Sequence, residues 1–110
     1  MKQSIVTLKV SLDENHVPEN IQWQASDNQN IVKEVKAFSL SIWDEKEQNA
    51  LALNLWTKEM EVDEMKLFYF QQFMMMADNY EKATNDVKMS DVMRDFATFF
   101  AEENKLIQKQ

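Results

Sequence analysis

The sequence predicts an α+β fold, with a four-stranded antiparallel meander sheet followed by two C-terminal helices packed on one face. In the first half of the chain, apolar residues alternate with polar ones, as they do in half-buried strands. After Thr57 the apolar spacing becomes helical, in a stretch without proline that is rich in Met, Lys, Glu and Ala. Short polar links between the alternating runs favour antiparallel neighbours.

Four alternating runs define the predicted strands. The first has apolar positions at Val6, Leu8, Val10 and Leu12. Turn-forming residues 13–20 contain the only proline, and the second strand then has apolar positions at Ile21, Trp23 and Ala25. The third strand has apolar positions at Phe38, Leu40 and Ile42, and the fourth at Leu51, Leu53 and Leu55.

Two helices complete the predicted fold. Residues 63–84 carry two neighbouring apolar stripes, so this helix is expected to be covered on more than one side. Residues 84–86 break the pattern, and Ser90 is the predicted N-cap of the second helix. Arg94, the only arginine, lies one turn from Asp91, where a surface ion pair is expected.

Composition limits the classes of function. The 110 residues fit a single domain, residues 1–110, and 45% of them are hydrophobic, which is enough for a core. Cysteine is absent, which excludes thiolate chemistry, and glycine is absent, which excludes glycine-dependent phosphate loops and nucleophile elbows. Turns are therefore expected to use Asn and Asp at positive φ.

Net charge and hydropathy bear on partners and location. The formal net charge is −7, so we expect no nucleic-acid partner. Polar residues interrupt the N-terminal segment at every second position, which predicts no signal peptide. No apolar run is long enough for a membrane span, so we expect no membrane insertion and a cytoplasmic location.

Groups able to carry catalysis do not converge in the sequence. His16 is the only histidine, and we interpret it as a solvated turn residue rather than as part of a triad with Asp13. The acidic residues Glu59, Glu61, Asp63 and Glu64 lack the spacing of a calcium loop, and the dipole of the following helix explains their placement. The sequence predicts no catalytic residue, no metal, no cofactor and no enzymatic activity.

The second face of the predicted third and fourth strands is the candidate interface. It consists of Ser39, Ser41, Trp43, Ala50, Ala52, Asn54 and Trp56. These residues are small except for two tryptophans, which we expect at one end, and tryptophan is enriched where proteins bind proteins. The alternative is that both tryptophans fold over the end of the domain. Met74, Met75 and Met76 lie in a row on the first helix, so at least one is expected to face away from the sheet.

Several segments together resemble the GldC family of gliding-motility proteins. They are LDENHVPENIQWQASD at 12–27, AFSLSIWD at Ala37–Asp44, LALNLWTKEMEVDEMK at 51–66, QQFMMMADNYEKATND at 71–86 and DVMRDFATFFAE at 91–102. The resemblance implies a cytoplasmic accessory of a gliding machinery, and it carries over no catalytic residue.

Two functions therefore stand at this point. The first is an accessory protein of bacterial gliding motility that binds a protein partner, with self-association as a homo-oligomer as a further expectation. The second is a chaperone-like binder of unfolded or exported proteins, by analogy with the export chaperone SecB, which the predicted element order resembles in outline.

Overall fold

The computed structural model describes residues 2–107. The chain divides after Met60 into two compact units, one of strands and one of helices. The α+β class, the antiparallel pairing and the two C-terminal helices are confirmed. Packing of the helices on one sheet face, and the single domain, stay predictions.

The first sheet has three antiparallel strands in the order β1–β2–β3. They are β1 (Val6–Leu12), β2 (Pro18–Ala25) and β3 (Lys33–Val35), with a short 3₁₀ turn at Ser26–Asn28 between β2 and β3. Strand β2 begins at the proline, a position where no ladder N–H is required. It also supplies the buried residues Ile21 and Ala25.

The second sheet is a two-stranded hairpin of β4 (Ala37–Asp44) and β5 (Asn49–Trp56). The predicted four-stranded meander is therefore wrong. Both edges of β2 are taken, one by β1 and the other by β3, so the predicted third strand pairs only with the fourth. Strand β3 has three residues and one apolar side chain, which is too short to show an alternating pattern.

Six of the residues that the structure describes hold positive φ angles, between 53° and 62°. They are His16, Gln29, Asn30, Gln48, Asn85 and Lys105. The expectation that Asn and Asp fill such positions holds for only two of the six. The turns require a left-handed backbone at these positions. Because the chain has no glycine, residues of several other types adopt that conformation.

The helices are α1 (Val62–Thr84) and α2 (Val87–Glu103). A reciprocal capping box between Glu61 and Glu64 begins α1, as acidic residues at a helix N-terminus favour. The predicted N-cap of α2 is wrong. Asp86 caps it by accepting from the N–H of Met89 at 3.1 Å, whereas Ser90 is buried within the helix and donates to the Asp86 carbonyl.

The two helices pack through small residues and aromatic rings. Ala77, Ser90, Ala97 and Ala101 are fully buried. The ring of Phe73 on α1 meets Phe96 and Phe100 on α2 edge to face, with centroids 5.3 and 5.2 Å away. Edge-to-face pairs at this separation stabilise the contact beyond the area they bury.

Arg94 of α2 forms the predicted ion pair with Asp91 and also reaches two carboxylates of α1. Its guanidinium lies 3.0 Å from Asp78, Glu81 and Asp91 alike. The hydrogen bonds to Asp78 and then Glu81 raise the pKa of Arg94 above its ordinary value. The sequence spacing predicted the ion pair with Asp91 on the same helix. The ion pairs with Asp78 and Glu81 could not be predicted in this way, because they depend on how α1 packs against α2.

Candidate interaction surface

The register of the β4–β5 hairpin separates its side chains into two faces. Three cross-strand pairs form one face, which we call the apolar face: Phe38 with Leu55, Leu40 with Leu53, and Ile42 with Leu51. Adjacent pairs of this kind stabilise an antiparallel hairpin by roughly 0.2–1 kcal/mol each. The structure therefore sorts the two sets of side chains as the alternating pattern predicted.

The other face, which we call the small-residue face, carries all seven residues of the predicted interface. Its cross-strand pairs are Ala37 with Trp56, Ser39 with Asn54, Ser41 with Ala52, and Trp43 with Ala50. Each of the seven predicted residues is solvent-exposed. The prediction that both tryptophans lie at one end is wrong. In an antiparallel pair the C-terminal ends of the strands point in opposite directions, so Trp43 and Trp56 bracket the face.

Large apolar side chains are exposed on both faces of the hairpin. Trp43 and Trp56 are 66% and 53% exposed on the small-residue face. Leu53 and Ile42 are each 51% exposed on the apolar face, where the alternating pattern predicted a covered core. Single exposed apolar residues are ordinary, but contiguous rows on a soluble protein mark contact sites.

Apart from Asp44, the last residue of β4, the hairpin strands carry no charged side chain. Residues 37–43 and 50–56 contain no Asp, Glu, Lys or Arg, in a chain with a net charge of −7. Lys36 and Asp44 stand at the two ends of β4. Charged residues are depleted in the centre of protein interfaces, so this uncharged strip has the composition of an interface core.

Local hydrogen bonds fix the hairpin at its tip. The carboxylate of Asp44 accepts from the backbone N–H groups of Lys46 and Glu47 at 3.0 and 3.1 Å. The N–H of Gln48 donates to the Asp44 carbonyl at 2.8 Å, with Gln48 in the left-handed region. An aspartate that closes its own turn in this way specifies a tight connection between strands.

At the other end, the base of the hairpin is joined to the turn between β1 and β2. The N–H of Lys58 donates to the carbonyl of Pro18, and its ammonium lies 3.0 Å from Asp13 and 3.5 Å from Glu19. The N–H of Val17 and then Lys58 donate to the Asp13 carboxylate, which lowers the pKa of Asp13 below its ordinary value. The bond to Asp13 raises the pKa of Lys58.

A shallow cavity of about 240 Å³ opens beside this base. It is lined by Val17, Pro18, Asn54, Leu55, Trp56 and Lys58. The volume lies below the roughly 300–1,000 Å³ of most small-molecule sites. The cavity therefore extends the surface around Trp56. It could not be predicted from sequence patterns, because it forms where the start of β2 lies beside the end of β5.

His16 and the methionine row of α1 are two further features that the sequence singled out. His16 occupies the exposed turn between β1 and β2 at a φ of 62°, where the Asp13 carboxylate binds Asn15, Val17 and Lys58. Met75 and Met76 are 54% and 53% exposed on α1, and the expectation that one of the three methionines faces away from the sheet stays a prediction.

Other kinds of site concern metal ions and the membrane, and both statements hold for residues 2–107. No group of three or more His, Cys, Asp or Glu side chains there is placed to hold a metal ion. Neither of the two helices described has the length and apolar character needed to cross a membrane.

Comparison with known proteins gives one match. A family model described as Gliding motility-associated protein GldC-like matches residues 18–106, well over half of the chain. No curated protein and no solved structure matches the chain. The family match confirms the resemblance that the sequence segments indicated, and the matched region includes the whole β4–β5 hairpin.

Proposed function

The chain belongs to the GldC-like family of gliding motility-associated proteins, and from that premise we propose that it is a cytoplasmic, non-enzymatic accessory that binds another protein. Association with gliding motility follows from the family. The small-residue face of the hairpin is the proposed contact. The observation that carries this assignment is an uncharged, exposed strip of seven residues bracketed by Trp43 and Trp56.

The chemistry of this face fits a protein partner. Small side chains such as Ser41 and Ala52 let a second backbone approach closely, and the two tryptophans offer large apolar anchors at either end. Interfaces combine such anchors with a polar rim, and Ser39, Asn54 and the flanking charges supply the polar groups. Nucleic acid fits poorly because the strip holds no cation and the chain is acidic.

The substitution Ala52→Lys tests the face at its centre. Ala52 is exposed, so the free energy of unfolding is expected to change by no more than about 0.5 kcal/mol. Burying the new ammonium against a partner without a counter-charge costs about 2–5 kcal/mol, a loss of thirtyfold or more in affinity. The measurement is quantitative affinity capture from extracts of the native cells, with the variant and the wild type as bait.

The matched control is Thr7→Lys, which adds the same charge at an exposed position of β1 in the same unit. Partners retained by the wild type and by the Thr7 variant, but lost with the Ala52 variant, support the proposal. Equal retention by both variants rules out the small-residue face as the contact.

A second candidate is a chaperone-like binder of unfolded or exported proteins. The exposed apolar face favours it, since Leu40, Ile42, Leu51 and Leu53 present a row that an unfolded chain can cover. Exposed methionines on α1 add an adaptable surface. The analogy with SecB rested on four strands in one sheet, whereas the strands described within residues 2–107 form a sheet of three and a hairpin of two. Failure to suppress aggregation of an unrelated denatured protein at stoichiometric excess counts against this function.

A further inference from the structure

The outer edge of β4 carries backbone groups that β5 does not use. Among residues 2–107, β4 pairs with β5 alone. The N–H of Thr57 donates to the carbonyl of Lys36 at 2.7 Å, so the backbone of Lys36 faces the β5 side. Because antiparallel strands alternate, the N–H and C=O groups of Ser39 and Ser41 point to the opposite edge. Such an edge is a template for another strand.

The sequence of β4 is nearly symmetric about Leu40. Serines stand on both sides of it, followed by Phe38 and Ile42. If two copies pair antiparallel around a two-fold axis at Leu40, Phe38 of one copy lies opposite Ile42 of the second copy on the apolar face. Ser39 then lies opposite the second copy's Ser41 on the small-residue face. Both of these cross-strand pairs join similar side chains, and Ala37 at the start of β4 lies opposite the second copy's Trp43. An aromatic residue opposite a β-branched one, as in Phe38 with Ile42, stabilises a sheet.

Charge also favours this arrangement. Two copies with a net charge of −7 each repel one another, but residues 37–43 carry no charge, so β4 can approach its copy without a like-charge contact. With the axis at Leu40, Lys36 of one copy lies opposite the second copy's Asp44. Opposite charges thus meet at both ends of the shared ladder.

Neighbouring registers lack this match. An axis at Ser41 brings Asp44 opposite the second copy's Phe38, and an axis at Ser39 brings Lys36 opposite the second copy's Ile42. Neither register joins opposite charges at the ends of the ladder. Two copies could also pair through their β5 strands, with the axis at Leu53. Asn49 of one copy would then lie opposite the second copy's Thr57, so no opposite charges would meet at the strand ends.

We propose that the protein forms a two-fold symmetric homodimer in which the β4 strands of two copies pair antiparallel about Leu40. The product is a four-stranded sheet in the order β5–β4–β4–β5, with one continuous apolar face and one continuous small-residue face. A sheet of three or more strands is more stable than an isolated hairpin. The proposed dimer uses the edge of β4, whereas the proposed partner binds the small-residue face. The two proposals are therefore independent, and each can fail without the other.

Single-cysteine cross-linking tests the axis directly, because the chain has no cysteine of its own. In the dimer, Leu40 and its copy form a pair without ladder hydrogen bonds, with Cα atoms about 4.5 Å apart. That distance suits a disulfide. Leu53 and its copy lie three strand spacings apart, about 14 Å, which is too far to bridge.

The experiment oxidises Leu40→Cys and the matched control Leu53→Cys at equal concentration, after far-ultraviolet circular dichroism has shown equal folding. Both positions lie on the apolar face, in the same cross-strand pair. We expect Leu40→Cys to form a covalent dimer at least tenfold faster, and the wild type to sediment as a dimer. A wild type that stays monomeric at about 100 μM, or a control that cross-links as fast, overturns the proposal.

Discussion

The contact of Phe73 with two rings of α2 predicts how much the helical unit depends on one side chain. Truncating a fully buried phenylalanine to alanine costs about 3–5 kcal/mol. Phe73 is only partly buried, but it makes edge-to-face contacts with Phe96 and Phe100, each contributing roughly 0.5–1.5 kcal/mol. We therefore expect Phe73→Ala to lower the free energy of unfolding of the helices by about 2–4 kcal/mol.

Two optical probes read the two units separately. Both described helices lie after residue 61, so ellipticity at 222 nm follows their unfolding in urea. All three tryptophans lie before Met60, so their fluorescence follows the strands. The matched control is Phe99→Ala, because Phe99 is 57% exposed and its ring lies 6.3 Å from that of Phe96, within the same helix. A Phe73 variant no less stable at 222 nm than the Phe99 variant would refute the packing argument.

Two further predictions concern the strand unit. The lowered pKa of Asp13 means that its contribution to stability is present above the ordinary value of 3.8 and is lost as pH falls through the lower folded-state pKa. The urea midpoint of tryptophan fluorescence should thus fall more steeply below pH 3.8 in the wild type than in Asp13→Asn, and parallel curves would contradict this. Gln48→Gly should raise stability by about 1 kcal/mol, because Gln48 holds a φ of 53° that glycine adopts without strain. The same fluorescence assay measures it, and an unchanged or lower midpoint would show that the turn is unstrained.

Local patterns predicted the elements of this fold better than their pairing. The alternation in β4 and β5 separated the hairpin faces correctly, because side-chain direction along a strand has a fixed period of two. The helical spacing of apolar residues after Thr57 likewise placed the start of α1 within one residue. These features depend on neighbours in the sequence.

Which strands pair with each other depends on which strand edges are already occupied by another segment. Even a very short strand can occupy an edge and so change the pairing. Lys33–Val35 takes the free edge of β2, which no periodicity revealed, and the predicted meander is lost as a result. The positions of Trp43 and Trp56 were misjudged for a related reason, since the register and not the strand sequence sets which ends coincide. Asp86 replaced Ser90 as a cap because α2 begins one turn earlier than its apolar pattern indicated.

The candidate interface was predicted from the alternation along the strands together with composition, and the structure adds its boundaries. Small residues with two tryptophans marked the small-residue face, and the register confirms that its members share one side of the hairpin. The exposure of the apolar face was not predicted. A strand whose apolar side chains are exposed has the same alternation of apolar and polar residues as a strand whose apolar side chains are buried.

Gliding of cells that lack the native gene tests most directly whether the small-residue face carries out the protein's role. Such cells should regain surface spreading when they express the wild type or Thr7→Lys, at protein levels matched by immunoblot. At the same level, Ala52→Lys should leave them non-spreading. Full restoration of spreading by the Ala52 variant would contradict the assignment of this face.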